Sequence, residues 1–221
     1  METPFPTRLQ TAQLTLRPLA LTDAHAFAKL CNNDAIARMT GTFCTPYMAE
    51  AAEFFILRQP SLGRRRLAQN WVLEAEGHVA GCIGLFRGDT TDDFEIGYWV
   101  GQLFWGHGYA TEAVQAVIAA HAQARPDCPV EARVFADNPA SLRVLEKAGF
   151  IIVAPERSHC MQRQAVVDGW LLRRPAYERT AQGGFASGEA SRGRPARKAS
   201  NAGFASNGTT SRAQFRIAKP A

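Results

Sequence analysis

Between Phe94 and Ala124 a β-patterned run, a glycine-rich turn and a long amphipathic helix follow one another without a break. The run FEIGYWV (Phe94–Val100) has the apolar and aromatic content of a buried strand. Beyond the turn, Ala110, Ala113, Val114, Val117, Ile118 and His121 recur at helical spacing and make one apolar stripe. A strand joined to a core-facing helix in this way points to an α/β chain.

The flanking segments agree. Leu14, Leu16 and Leu19 alternate as a first strand ending at Arg17-Pro18, and Thr22 and Asp23 cap a helix through Ala26, Phe27 and Leu30. Thr45-Pro46 reads as an N-cap with proline at the first helical position, opening a helix that carries Phe54, Phe55 and Leu57. Arg64-Arg65-Arg66 reads as a solvated loop. Trp71–Ala75 and Val79–Phe86 flank Glu76-Gly77-His78 as a β-hairpin, and an acidic turn, Asp89–Asp93, leads into Phe94–Val100. A strand (Val130–Ala136), a short helix (Pro139–Ala148, ending at Gly149) and two more strands (from Phe150–Val153 and through Val166–Leu172) complete a mixed sheet.

The charge is unevenly placed. The 221 residues carry a formal +5, but from Arg179 to Ala221 there are eight bases and one acid. Residues 1–178 therefore hold 17 bases against 19 acids. The 179–221 segment is Gly/Ser/Ala/Arg-rich, with the near-repeat Gly184-Phe185-Ala186-Ser187 and Gly203-Phe204-Ala205-Ser206. It lacks the apolar bulk to offset the entropy of ordering and is expected to be a disordered basic tail on a domain spanning 1–178. Nucleic-acid binding is not expected of the domain, and the tail is the one candidate arm for it. Cys31, Cys44, Cys82, Cys128 and Cys160 form no Cys-x-x-Cys pair, so neither a disulfide framework nor a metal site is expected. With no signal-peptide h-region and no membrane-length apolar run, the expected location is cytoplasmic.

Chemistry concentrates in Trp105-Gly106-His107-Gly108-Tyr109-Ala110-Thr111. Two glycines at a helix start let backbone N–H groups approach a phosphate or pyrophosphate, and His107 can add positive charge. Taken alone, Gly-x-Gly is a weak signal and is better read as an ordinary strand-to-helix turn. It lacks the third glycine of a dinucleotide fingerprint and the Gly-Lys-Ser/Thr of a P-loop.

The wider pattern is more specific. Glu95-Ile96-Gly97-Tyr98-Trp99-Val100, then Trp105 to Ala113, then Asn138, Ser141, Leu145-Glu146-Lys147 and Gly149-Phe150 appear in order. Over residues 9–178 the chain resembles the GNAT N-acetyltransferase superfamily, and within it the RimJ/RimL-like branch. One position departs: Leu103 stands where the superfamily often has Gln or Arg, so backbone amides alone would hold the phosphate.

The resemblance implies a GNAT fold, a mixed sheet of about seven strands in which Phe94–Val100 and Val130–Ala136 are parallel and splay apart. It implies acetyl-CoA as acetyl donor, its pantetheine along Trp99 and Val100 and near Asn138, and its pyrophosphate on Trp105, Gly106, His107, Gly108, Tyr109, Ala110 and Thr111. No metal is implied. Glu95 is the candidate general base, acting through water, and Ser141 the candidate to donate to the departing thiolate or to steady a water near it. With no Cys/His pair placed for an acetyl-enzyme, direct transfer is expected. The acceptor is an amine: a protein or peptide N-terminus, or a small amine such as an antibiotic, polyamine or amino acid. A non-enzymatic acyl-CoA sensor is the reading from another class. Thr40–Tyr47 and Ser158–Val167 are the segments expected to border the acceptor, and the chain is expected to be a monomer or homodimer.

Overall fold

A computed structural model describes residues 5–64, 68–87 and 93–176. The basic segment 179–221, Arg65 and Arg66, and most of the acidic turn before Phe94 lie outside the described residues. Eight strands form one sheet: β1 (Leu9–Gln10), β2 (Thr15–Arg17), β3 (Ala68–Ala75), β4 (His78–Arg87), β5 (Phe94–Val100), β6 (Val130–Phe135), β7 (Ile151–Cys160) and β8 (Ala165–Arg174). Their order is β1-β2-β3-β4-β5-β6-β8-β7. The eighth strand, beyond the expected seven, is the two-residue β1. Every neighbouring pair is antiparallel except β5 and β6, which the crossover helix α4 (Tyr109–Ala124) makes parallel.

The pleat sends alternate residues to two apolar layers. On one face Trp71, Leu73, Ile83, Leu85 and Ile96 meet Val114, Val117 and Ile118 of α4 and Leu145 of α5 (Pro139–Lys147). On the other, Val72, Cys82 and Trp99 meet Phe27 of α1 (Ala24–Cys31) and Ile56 of α3 (Ala49–Arg64). The β3–β4 hairpin turns at Glu76 and Gly77, both at positive φ, as the sequence there predicts.

Three elements differ from expectation. The helix expected to open at Thr45-Pro46 starts at Ala49, and the Thr45–Pro46 bond is cis. The Asn32 side chain holds Tyr47 through both its N–H (2.6 Å) and its C=O (2.8 Å), so this stretch crosses the end of α1 as a loop with Tyr47 buried. A short helix, α2 (Asp34–Ala37), capped by Asn33, interrupts the connection. The last two strands run ten residues each, longer than expected, because exposed polar residues such as Arg157 and His159 break the apolar alternation without breaking the ladder. Cys31, Cys82 and Cys160 are buried, and all five cysteines are free thiols. Among the described residues no helix is long and apolar enough to cross a membrane.

Candidate active site

The site begins where β5 and β6 part. β4 and β5 pair along seven positions, Gly81–Arg87 against Val100–Phe94, yet β5 and β6 pair only at Phe94–Val130 and Glu95–Glu131. Phe94 N–H donates across to Pro129 and Gly101 N–H donates to Ala80 on the opposite side. Since backbone groups alternate sides, Tyr98 and Val100 address the gap, and the Trp99 backbone addresses β4. The gap opens into a cleft of about 860 Å3 lined by Glu95, Tyr98, Trp99, Val100, Trp105, Gly106, Gly108, Tyr109, Ala110, Thr111, Asn138 and Ser141. The sheet therefore brings together eleven of the twelve residues singled out in the sequence, plus Tyr98. The exception is His107, which is exposed, is not among the lining residues, and stacks its ring on Tyr109 at 5.3 Å.

At one end, the chain leaves β5 through a 3-10 turn (Gln102–Phe104) that Trp105 pins by donating its indole N–H to Val100 C=O at 2.7 Å. Gly106 and Gly108 then take φ values of 84° and 82°. A Cβ at either would meet no heavy atom within 4 Å, so glycine is needed for backbone conformation and not for space. No side chain caps α4, which leaves the N–H groups of its first turn, Tyr109 to Thr111, without intrahelical partners at the cleft wall. This is a ready site for an anion. Leu103 is 81% exposed and contributes no polar group there.

At the other end lies Glu95, its side chain only 12% exposed, with Arg133 Nη1 2.5 Å from its Oε2. Arg133 is shared: Glu131 and Glu156 each stand 3.9 Å from other guanidinium nitrogens, and Arg133 Nε is buried without a hydrogen-bond partner. Burial pushes the Glu95 carboxyl up to about 7; Arg133 opposes this, and Glu131 and Glu156 reinforce it. Glu131 also has a guanidinium of its own, Arg173, whose Nη2 lies 2.5 Å from its Oε1.

Asn138 caps α5: its Oδ1 accepts the Ser141 N–H at 3.1 Å, so that oxygen is committed to the helix. Ser141 Oγ lies 2.7 Å from the Tyr98 hydroxyl. The segments expected to border the acceptor touch each other. Gln162 in the β7–β8 turn bonds Asp34 (2.7 Å) and Thr45 (2.8 Å to its N–H), and Arg163 pairs with Asp137 at 2.8 Å. Reading the sequence alone misses Tyr98, Arg133 and Glu156. Tyr98 sits inside a recognised motif, and the Glu131–Arg133 alternation on a strand beside Glu95 was the available signal for Arg133; Glu156 had none. Among the described residues no cluster of His, Cys, Asp and Glu is arranged to hold a metal.

Known proteins share this fold. The solved structure of Mycobacterium smegmatis RimJ in complex with CoA-disulfide superimposes with a TM-score of 0.69 at 19% identity, covering 78% of this chain and 89% of that one. The microcin C7 self-immunity acetyltransferase MccE, solved with acetyl-CoA and AMP, gives 0.68 at 18% identity, over 77% of this chain and 97% of that one. In sequence, the uncharacterized N-acetyltransferase YoaA of Bacillus subtilis is 29% identical over 145 residues, 64% of this chain and 81% of YoaA. The acetyltransferase (GNAT) domain family matches residues 13–151, well over half of the chain. With that match, the chain belongs to the GNAT acetyltransferase family.

Proposed function

We propose that this protein transfers the acetyl group of acetyl-CoA directly to an amine, the N-terminal α-amine of a protein or peptide. The observation that carries the reading is one continuous cleft with an uncapped helix N-terminus at one end and a buried carboxyl, Glu95, at the other. The first-turn N–H groups of α4 suit a pyrophosphate. The Tyr98 and Val100 backbone, facing a gap with no strand in it, suits the amide-bearing pantetheine arm, which would bond there as an added strand does. The thioester then lies between Ser141 and Glu95.

An amine attacks only when neutral. At pH 7 an α-amine of pKa about 8 is about 10% neutral, and a lysine of pKa about 10.4 only about 0.04%. The α-amine thus needs a modest base, and a carboxyl titrating about 7 matches that need. Glu95 takes the proton as the nitrogen bonds the carbonyl carbon, through water where the acceptor does not reach it. The C–S bond breaks with its electron pair on sulfur, toward the Ser141 hydroxyl. The charged residues that line the cleft are Asp34, Glu95, Asp137 and Glu156 against Arg38 and Arg133, a balance that favours a cationic acceptor over an anionic one.

An acetyl-CoA turnover screen over N-terminal peptides and small amines, read by thiol release, tests the proposal. Peptides with free α-amines are expected to turn over and their N-acetylated counterparts to be inert. Turnover confined to polyamines, amino acids or antibiotics refutes the peptide assignment, and acetyl-CoA binding without turnover of any amine refutes catalysis.

A further inference from the structure

Ser141 stands in the first turn of α5, where a serine hydroxyl ordinarily turns back onto nearby backbone groups. Here it has another neighbour. Tyr98 reaches from β5 to place its hydroxyl 2.7 Å from Ser141 Oγ, with the Ser141 carbonyl farther off at 3.3 Å. Either hydroxyl can donate across this contact; in the arrangement favoured by acidity the phenol, the stronger acid, donates and Ser141 accepts. That donation occupies a serine lone pair and orients the rotor, leaving the serine O–H free to point into the cleft that both residues line. Asn138 fixes the other half of the geometry by holding the Ser141 N–H.

We propose that Tyr98 is a positioning residue for departure of the thiolate: its hydroxyl holds Ser141 so that the Ser141 O–H donates to the sulfur of CoA. The proposal rests on the reading above that Ser141 faces the thioester. Tyr98 keeps its own proton throughout. Burial drives its ionisation well above the usual phenol range, so it acts as a fixed hydrogen-bond donor and not as a proton source. As the C–S bond breaks, the sulfur receives the electron pair and the Ser141 hydrogen bond, and the thiolate later takes its proton from solvent. The proton lost by the amine goes to Glu95. No other reactant is required.

The test reads the thiol of bound CoA, which is independent of the acceptor. Ultraviolet absorbance of the thiolate is followed against pH for CoA bound to the unaltered protein, Tyr98→Phe, Ser141→Ala and the double variant. A hydrogen bond to the ionised form is expected to hold the bound thiol about one pH unit below free CoA. Tyr98→Phe should recover much of that shift, Ser141→Ala all of it, and the double variant should match Ser141→Ala alone. In turnover, Tyr98→Phe should lower kcat about tenfold with KM for acetyl-CoA little changed. Replacing Tyr98 site-specifically by fluorotyrosine, a stronger donor of the same shape, should lower the thiol pKa further, and it serves if Tyr98→Phe does not fold. An unshifted thiol in the unaltered protein, or a shift that survives Ser141→Ala, overturns the Ser141 reading and this proposal together. A shift lost in Ser141→Ala but untouched in Tyr98→Phe, or additive losses in the double variant, overturns the role of Tyr98 alone.

Discussion

Replacing Glu95 by Gln should produce a loss of turnover whose size depends on pH in a calculable way. The amide keeps an oxygen for Arg133 Nη1, now 2.5 Å from Glu95, and removes one of three carboxylates sharing that guanidinium, so the site should stay folded. General-base assistance contributes about 10²–10⁴-fold, and action through water places Glu95 near the lower figure, about 10². Only the ionised carboxylate assists. With the carboxyl titrating about 7, roughly one molecule in ten is competent at pH 6 and nine in ten at pH 8. The ratio of kcat/KM between the unaltered protein and Glu95→Gln should therefore widen about tenfold from pH 6 to pH 8 and then level off. Amine ionisation cancels in that ratio, because it is common to both proteins. The assay is thiol release from acetyl-CoA with one active amine at half-unit pH steps, with the acetyl-CoA thermal shift as a control for an intact cleft. A ratio that is constant across pH, or near one, refutes Glu95 as the base and leaves it a structural partner of Arg133.

Arg133→Gln removes the cation that opposes the rise of the Glu95 pKa, so the acid limb of the kcat/KM profile should move above 7; a limb that stays put would show that Arg133 does not act on Glu95. Saturating acetyl-CoA should raise Tm, and Gly106→Ala or Gly108→Ala should weaken that rise while lowering the unliganded stability by about 1 kcal/mol each, since an alanine at φ near 80° is strained. An unchanged acetyl-CoA response in both glycine variants would move the phosphate site elsewhere. Burial and the charges of Arg125 and Arg174 push His121 down to about 4, below its ordinary 6.5. With a folded-state pKa lower than the unfolded one, its contribution to stability is present above pH 6.5 and lost as pH falls toward 4. Urea midpoints at pH 7.5, 5 and 4 should fall more steeply for the unaltered protein than for His121→Leu, and equal slopes would refute the assignment.

The parts legible in the sequence are those built from near neighbours. β5, the glycine turn and α4 are adjacent in the chain, and the strand and helix each carry their own periodicity, so their order could be read directly, whereas the candidate anion role of the turn rested on the resemblance. Asn138 before Pro139 announced α5 in the same way. The loop at Thr45–Tyr47 misled because its local pattern, a cap followed by proline, was overruled by Asn32, 15 residues away. The exposed strand β7 was cut short because a polar edge strand has no alternation to read.

From local pattern, then, the chain determined its α/β class and the glycine turn that opens α4, and the resemblance singled out the carboxyl of Glu95 and the hydroxyl of Ser141, which both line the cleft. The tertiary structure decided what those groups can do. Arg133 meets Glu95 across 38 residues and Tyr98 meets Ser141 across 43, and both meetings depend on β5 and β6 pairing at two positions and then diverging. Side-chain period shows which face a residue takes, but the carboxyl's burial and the company of Glu131 and Glu156 depend on which strands lie side by side. Ionisation responds to that company and to lost solvent, and neither is a local property of the chain.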